Sequence, residues 1–429
     1  MGSRIFVLLF GFGSFYILVR YFSKEDFGTW AIFLTIVTIL EMSRNGLIQN
    51  ALIKLVHSHD QSDEDKIVSA SWILNTAYTV FIFFILWLSS GLVADLFKAP
   101  EIKTMFLYYG ITLLLLIPFS QFNYIQQSNF NFSGIFWGTF ARTGSFFLAN
   151  LIIYLLSIPI TLSSLVLIQA FSTFLGLIIS YISAREFLTM KFEWNTDAIK
   201  KVFHFGKYVM GTNICSLVYK STDQFAIGYF LTTGSVASYN AAVRLSNLIE
   251  YPTTSIAEIV YPKSTSQYTT GGEQSSKSMF ERSVGATLGI TLPIVAFVAL
   301  FAEQIIYIIA GPEYGDSVPI LRITILFGLF TPFSRQFGTA LDSSGRPKLN
   351  FQILVASVFI NLVTNVIGIH YLGLMGACYG TLLSYLIIFF INNYFMVRIF
   401  KIELSSVFKY LVQFYPMLFS MVAKTIKLK

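Results

Sequence analysis

Apolar runs of membrane-spanning length recur along the whole of this 429-residue chain. Roughly 20 apolar residues cross hydrocarbon as a helix. Inside hydrocarbon every backbone polar group must be satisfied by the spanning element itself. The runs fall at 5–19, 28–52, 68–97, 105–125, 132–156, 162–182, 207–231, 235–260, 280–301, 317–341, 350–370 and 372–397. They predict an all-α integral membrane protein with about twelve transmembrane helices. A β-barrel would need short alternating segments with a polar lumen face, and none is present. A further apolar segment, 405–423, is interrupted by Lys409 and Pro416 and reads as a thirteenth span or an interfacial helix. Only 12% of residues are charged, 55% are hydrophobic and 44 are Phe. Soluble domains carry about 25% charge, so a soluble fold is excluded.

The formal net charge of +7 invites a nucleic-acid reading. The cations, however, cluster between apolar runs, where cytoplasmic loops and anionic lipid account for them better. With the N-terminus inside, the interior loops hold Lys54, Lys66, Arg185, Lys191, Lys200, Lys201, Lys207, Lys263, Lys277, Arg282, Arg346 and Lys348. The exterior loops hold Arg20, Lys24, Lys98 and Lys103. The bias puts the N-terminus in the cytoplasm, and the basic tail of Lys424, Lys427 and Lys429 agrees with an even count. Cys215 and Cys378 each sit inside an apolar run and read as small buried residues, neither a disulfide nor a metal pair. The start resembles a signal peptide but lacks a small-x-small cleavage site, so it reads as a retained first helix.

The chain repeats itself. Tyr21-Phe22 and Tyr229-Phe230 each precede a polar turn and a helix. Trp30 matches Tyr239 and Glu41 matches Glu250 at one shared offset; at a similar one, Pro118-Phe-Ser120 matches Pro332-Phe-Ser334. These matches predict two parallel six-helix bundles, 1–184 and 208–400, joined by a basic cytoplasmic linker, 185–207. A basic C-terminal segment, 401–429, follows. Paired repeats with a site between them are a transporter plan.

Ionisable groups lie deep in several runs, where each costs about 2.5–3.5 kcal/mol on insertion scales. On the second helix Thr38, Glu41, Arg44, Asn45 and Gln49 share one broad face. Lys220 and Asp223, three apart, stack on the seventh. Asn240, Arg244, Asn247 and Tyr251 form a stripe on the eighth, with Glu250 beside it. Arg142, Arg322 and Arg335 add cations. These groups are expected to face an interior, either as ion pairs (Glu41–Arg44, Lys220–Asp223) or around water. Guanidinium forks suit phosphate oxygens, so surplus cations predict an anionic substrate, with Arg44 and Arg244 foremost. Asp223, Glu41 and Glu250 are the candidates for cation coupling. His57-Ser-His59-Asp60 reads as a solvated loop rather than a metal site, and His370 as interfacial. There is no phosphate-binding Gly-x-x-x-x-Gly-Lys-Ser/Thr, so no means of using ATP is evident.

From Arg20-Tyr-Phe-Ser-Lys-Glu-Asp-Phe-Gly-Thr-Trp30 onward the chain resembles the polysaccharide biosynthesis flippases of the multidrug/oligosaccharidyl-lipid/polysaccharide (MOP) superfamily. Ser23 stands where the family usually has glycine. The resemblance continues through Asp223, Ile227-Gly228, Val236-Ala-Ser-Tyr-Asn-Ala-Ala242, Gly311-Pro-Glu-Tyr-Gly315 and Ser344-Gly-Arg-Pro-Lys348. The short first helix departs from the pattern and reads as a truncated start. The resemblance implies a MATE-like pair of six-helix bundles around a cavity, a non-enzymatic carrier in the bacterial inner membrane, and alternating access. The implied substrate is a polyprenyl-pyrophosphate-linked oligosaccharide, an O-antigen, capsule or exopolysaccharide repeat unit. Polysaccharide polymerase and chain-length machinery are implied partners, with membrane lipids and without nucleic acid. The motif itself carries over only Asp223. Arg44, Lys220, Arg244 and Arg142 suit the pyrophosphate by chemistry, lined by Asn45, Gln49, Asn240 and Asn247. No cofactor is expected, and coupling to H+ or Na+ stays open.

Three other readings remain: a lipid II flippase, a cation-coupled multidrug exporter and an integral-membrane polysaccharide polymerase. An exporter of organic cations needs a carboxylate-rich cavity, whereas here Arg44, Arg142, Lys220, Arg244, Arg322 and Arg335 outnumber Glu41, Asp223, Glu250 and Glu258. A polymerase needs a sizeable exterior loop, whereas 157–161 and 232–234 are short.

Overall fold

The computed structural model describes the backbone of residues 2–56, 61–188 and 192–427. Side chains are described for 6–56, 64–188, 192–257, 260 and 277–416. His57, His59 and Asp60 therefore lie outside the described residues. Among the described residues there is no strand. The helices are α1 (Gly2–Tyr21), α2 (Lys24–Val56), α3 (Gln61–Leu96), α4 (Glu101–Ser128), α5 (Phe132–Leu156), α6 (Leu162–Ala184), α7 (Thr196–Phe230) and α8 (Thr233–Ser246). They continue with α9 (Glu250–Leu300), α10 (Ala302–Ile309), α11 (Ser317–Thr324), α12 (Phe327–Ser343), α13 (Pro347–Phe400) and α14 (Leu404–Lys427). Among the described residues eight helical stretches are long and apolar enough to span a membrane.

Several boundaries differ from those read off the hydropathy, for one shared reason: apolarity marks where hydrocarbon ends, not where the helix ends. Thus α7 starts at Thr196, inside the stretch read as a linker, where the Asn195 Oδ1 accepts from Ala198 N at 2.9 Å. α9 runs unbroken from Glu250 to Leu300 through the polar stretch read as a loop. A 3-10 turn, Asn247–Ile249, separates it from α8. The run at 317–341 is two helices. At their junction i→i+3 bonds replace the α ladder (Leu326 N to Ile323 O 3.0 Å, Gly328 N to Ile325 O 3.1 Å). Pro332, inside α12, has no N–H to give. The last two runs form one continuous element, α13, bent into two arms at Gly373, whose φ is +57°.

The chain divides into two compact units: Met1–Ser221 with Thr232–Ala237, and Thr222–Leu231 with Ser238–Lys429. In the first unit, Ser23 Oγ accepts from Asp26 N at 3.1 Å and caps α2. Thr232 Oγ1 accepts from Ser235 N at 3.1 Å and caps α8. α2 and the first part of α7 touch backbone to backbone. A Cβ on Gly206 would lie 1.7 Å from the Leu47 carbonyl oxygen, and Asn213 Nδ2 donates to Met42 O at 3.3 Å. Leu47, Ile48, Leu52, Ile67, Ile125 and Val202 form the apolar core around this crossing.

In the second unit, the arms of α13 cross where Gly376 meets Gly368; a Cβ on Gly376 would lie 1.8 Å from the Gly368 carbonyl oxygen. α14 packs lengthwise on the apolar part of α9. Tyr410 and Val407 fill the space over Gly285, Phe414 that over Gly289, and the Tyr415 hydroxyl donates to Gly289 O at 3.1 Å. A clasp fixes its entry: Lys277 Nζ reaches Glu403 Oε1 at 2.6 Å, and Glu403 N donates to Glu281 Oε1 at 2.9 Å. The Lys277 ammonium holds the Glu403 carboxyl below its ordinary range. Residues 407–415 of α14 thus pack along α9.

Candidate functional site

The polar face of α2 meets partners from α3, α4 and α5, all in the first unit. Glu41 receives a hydrogen bond from the Tyr109 hydroxyl, and Arg142 Nη2 stands 3.9 Å from the same oxygen, Oε1. Arg142 also lies over the Phe119 ring, 5.4 Å from its centroid. Asn45 Oδ1 accepts from the Tyr124 hydroxyl at 2.6 Å. Gln49 Nε2 donates to Gln127 Oε1 at 2.7 Å, and Ser43 pairs with the Tyr78 hydroxyl at 2.7 Å. Arg44 is 2% exposed, and its Nε and Nη1 have no hydrogen-bond partner among the described residues. It acts electrostatically on both Tyr109 and Tyr124. Glu41 and Arg142 are more open, with side chains 20% and 22% exposed.

The expected Glu41–Arg44 pairing is therefore replaced by Glu41 with Tyr109 and Arg142. Helical spacing placed Glu41 and Arg44 on one face, but only the fold brings α5 beside them. A buried cation with two idle nitrogens is costly. It is also a ready receptor for an anion, because guanidinium donors are planar and bind oxyanions in pairs.

A second polar cluster lies in the second unit. Asp223, near the end of α7, is buried and accepts from the Tyr239 hydroxyl of α8. Thr381, on the second arm of α13, faces the Asp223 carboxylate. Thr381 Oγ1 in turn accepts from Asn365 Nδ2 at 2.9 Å and Asn361 Nδ2 at 3.4 Å. The Oδ1 atoms of Asn361 and Asn365 are buried without a hydrogen-bond partner among the described residues. Asn240 Nδ2 donates to Gln224 Oε1 at 3.3 Å. Lys220 is exposed while Asp223 is buried, and the described contacts of the carboxylate are the Tyr239 and Thr381 hydroxyls.

Arg244 is half-buried near Tyr251, and Asn247 is exposed. A 3-10 turn begins at Asn247, so of the residues expected to share one stripe Asn240 and Arg244 lie on α8 and Asn247 just beyond it. Glu250, half-buried, opens α9. Arg322, Arg335 and His370 are exposed. Both cysteines are free. Among the described residues no group of three or more His, Cys, Asp or Glu gathers to hold a metal ion. A cavity of about 650 Å³ elsewhere in the first unit, lined by Trp72, Phe122, Tyr181 and Phe192, includes none of the residues expected from sequence.

The residues that sequence reasoning missed are Tyr78, Tyr109, Tyr124, Gln127, Asn361, Asn365 and Thr381. Asn361 and Asn365, one turn apart in an apolar run, carry a usable signal: two amides on one face of a spanning helix. The tyrosines carry none in a chain with 23 of them.

Residues 17–319 match the sequence profile of a family described as polysaccharide biosynthesis protein. The probable low-salt glycan biosynthesis flippase Agl15 of Haloferax volcanii is 27% identical over 187 residues, 43% of this chain and 39% of that protein. A putative O-antigen transporter of Shigella flexneri is 20% identical over 372 residues, 84% of this chain and 87% of that protein. With Agl15 the aligned stretch thus spans about two fifths of the relative's length. Among solved structures, the lipid II flippase MurJ in an inward closed conformation superposes with a TM-score of 0.78 at 15% identity. That match covers 98% of this chain and 92% of MurJ. At such identity the likeness concerns the fold alone.

Proposed function

Because the chain belongs to the polysaccharide biosynthesis protein family, we propose that it is a secondary-transporter-type flippase, a carrier and not an enzyme. Its cargo is a polyprenyl-pyrophosphate-linked oligosaccharide, carried from the inner to the outer leaflet by alternating access. It is a multi-pass membrane protein with twelve principal spans in two six-helix bundles, its N-terminus cytoplasmic, in the cytoplasmic membrane. The observation that carries the reading is Arg44, a buried guanidinium whose Nε and Nη1 await an acceptor. A pyrophosphate bridge offers acceptor oxygens and the compensating charge, while the prenyl tail stays in lipid. Within the first unit Arg142 and Lys220 supply further cations, with Asn45 and Gln49 for sugar hydroxyls; within the second, Arg244 is the proposed cation, with Asn240 and Asn247. A polymerase that joins the delivered repeat units is the expected downstream partner.

Asp223 is the coupling group. Its carboxylate and the Tyr239 and Thr381 hydroxyls that bond it form an all-oxygen set. Such a set suits a proton or a sodium ion rather than a soft metal. The test is transport of undecaprenyl-pyrophosphate-linked oligosaccharide in proteoliposomes. Arg44→Ala and Arg244→Ala should each reduce it roughly tenfold or more, since a lost bond to a charged group costs about 1.5–3 kcal/mol. Both variants transporting at the wild-type rate, or wild-type protein moving cationic dyes in place of the lipid, would overturn the reading.

A further inference from the structure

Tyr109 bonds the Glu41 carboxylate and lies within the electrostatic reach of two guanidiniums, Arg142 and Arg44. The carboxylate is loosely held by its cation. A charge-assisted bond is about 2.7–2.9 Å long, whereas Arg142 stands 3.9 Å from Glu41 Oε1. Arg142 does not depend on Glu41 for its position, because the Phe119 ring lies beneath it. The oxygen that faces Arg142 is also the one that Tyr109 grips. One helical turn on, Arg44 has two idle nitrogens. The arrangement has the form of an anion site already holding a weak, tethered anion.

We propose that Glu41 is the resident counter-ion of this site, displaced from Arg142 when a phosphoryl group of the cargo arrives and returning when it leaves. This rests on the flippase reading and gives Glu41 a role distinct from ion coupling. The cargo's pyrophosphate bridge brings two ionised phosphoryl groups, two charges against the one on the carboxylate, and each can bind a guanidinium in two places, so it wins while present. The returning carboxylate lowers the free energy of the emptied site and speeds release. Glu41 is thus a positioning and release residue: it sets how tightly the cations hold the cargo without itself binding it. Tyr109 sets how far Glu41 can compete, because it holds the shared oxygen.

The two residues give opposite expectations, which separates this role from mere structural support. The probe is undecaprenyl pyrophosphate bound to the purified full chain in lipid nanodiscs, alongside turnover in proteoliposomes. Glu41→Gln should tighten binding roughly tenfold, within the usual range of coupling between sites. It should also lower both the apparent KM and kcat, with Glu41→Asp restoring wild-type behaviour. Tyr109→Phe frees the carboxylate for Arg142 and should weaken binding. If both variants shift affinity in the same direction, or Glu41→Gln leaves it unchanged, the counter-ion role is overturned and the flippase reading stands. Failure of the wild-type chain to bind undecaprenyl pyrophosphate overturns both.

Discussion

Arg44 is charged, 2% exposed and short of acceptors among the described residues, a combination that destabilises a fold unless an anion visits. Arg44→Met, which keeps the length and drops the charge, should therefore leave thermal stability in detergent equal or higher while transport falls at least tenfold. Arg44→Lys should recover only part of the transport, because an ammonium cannot make the paired contact. Asp223 gives a second expectation. Asp223→Asn should make transport insensitive to the imposed sodium or proton gradient, read as equal initial rates with and without it. At this scale the sequence was informative about which residues were costly but not about their partners. Arg44 and Asp223 stand out because a charge in a spanning run demands an explanation. That Asp223 faces Tyr239 and Thr381 depends on helix crossings that one-dimensional spacing does not encode.

Helix crossings in each unit depend on glycine. With a Cβ 1.7 Å from the Leu47 carbonyl oxygen, Gly206→Ala must push α7 off α2. Overpacking of this kind costs about 1–3 kcal/mol, to be read as a lower melting temperature. Gly206→Leu should be worse, and neither effect should be rescued by cargo. Ser23→Ala removes the cap of α2 and should cost about 1 kcal/mol. The family's glycine at this position would tolerate the turn, whereas serine caps it. Acid should loosen α14. Because Lys277 depresses the Glu403 carboxyl, the clasp is fully formed above the unfolded value of about 4.3. It is lost as pH falls through the lower folded one. Amide exchange in α14 should rise across that window and not above it. The apolar runs located nearly every element because hydrocarbon demands apolar length. They misplaced the ends of α7 and α9 because water-facing helix needs no apolar length at all.

For the molecule as a whole, the membrane class follows from composition, and the helical content follows from the class. The chemistry does not follow from either. The first unit gathers arginines and a carboxylate around tyrosines, and the second sets one aspartate against tyrosine and threonine hydroxyls. An anion and a cation would thus find different hosts within one chain. Titrating undecaprenyl pyrophosphate with and without sodium should reveal whether the two communicate; a two- to tenfold change in affinity, abolished by Asp223→Asn, is expected. α14 has a practical corollary. With Tyr410, Phe414 and Tyr415 wedged over Gly285 and Gly289, the last helix is a splint on its neighbour rather than a dispensable tail. Shortened versions that stop near Lys401 would uncover a glycine-notched strip to detergent or to stray apolar chains. Reporter fusions and purification handles therefore belong beyond Lys427, not at the hinge before Leu404.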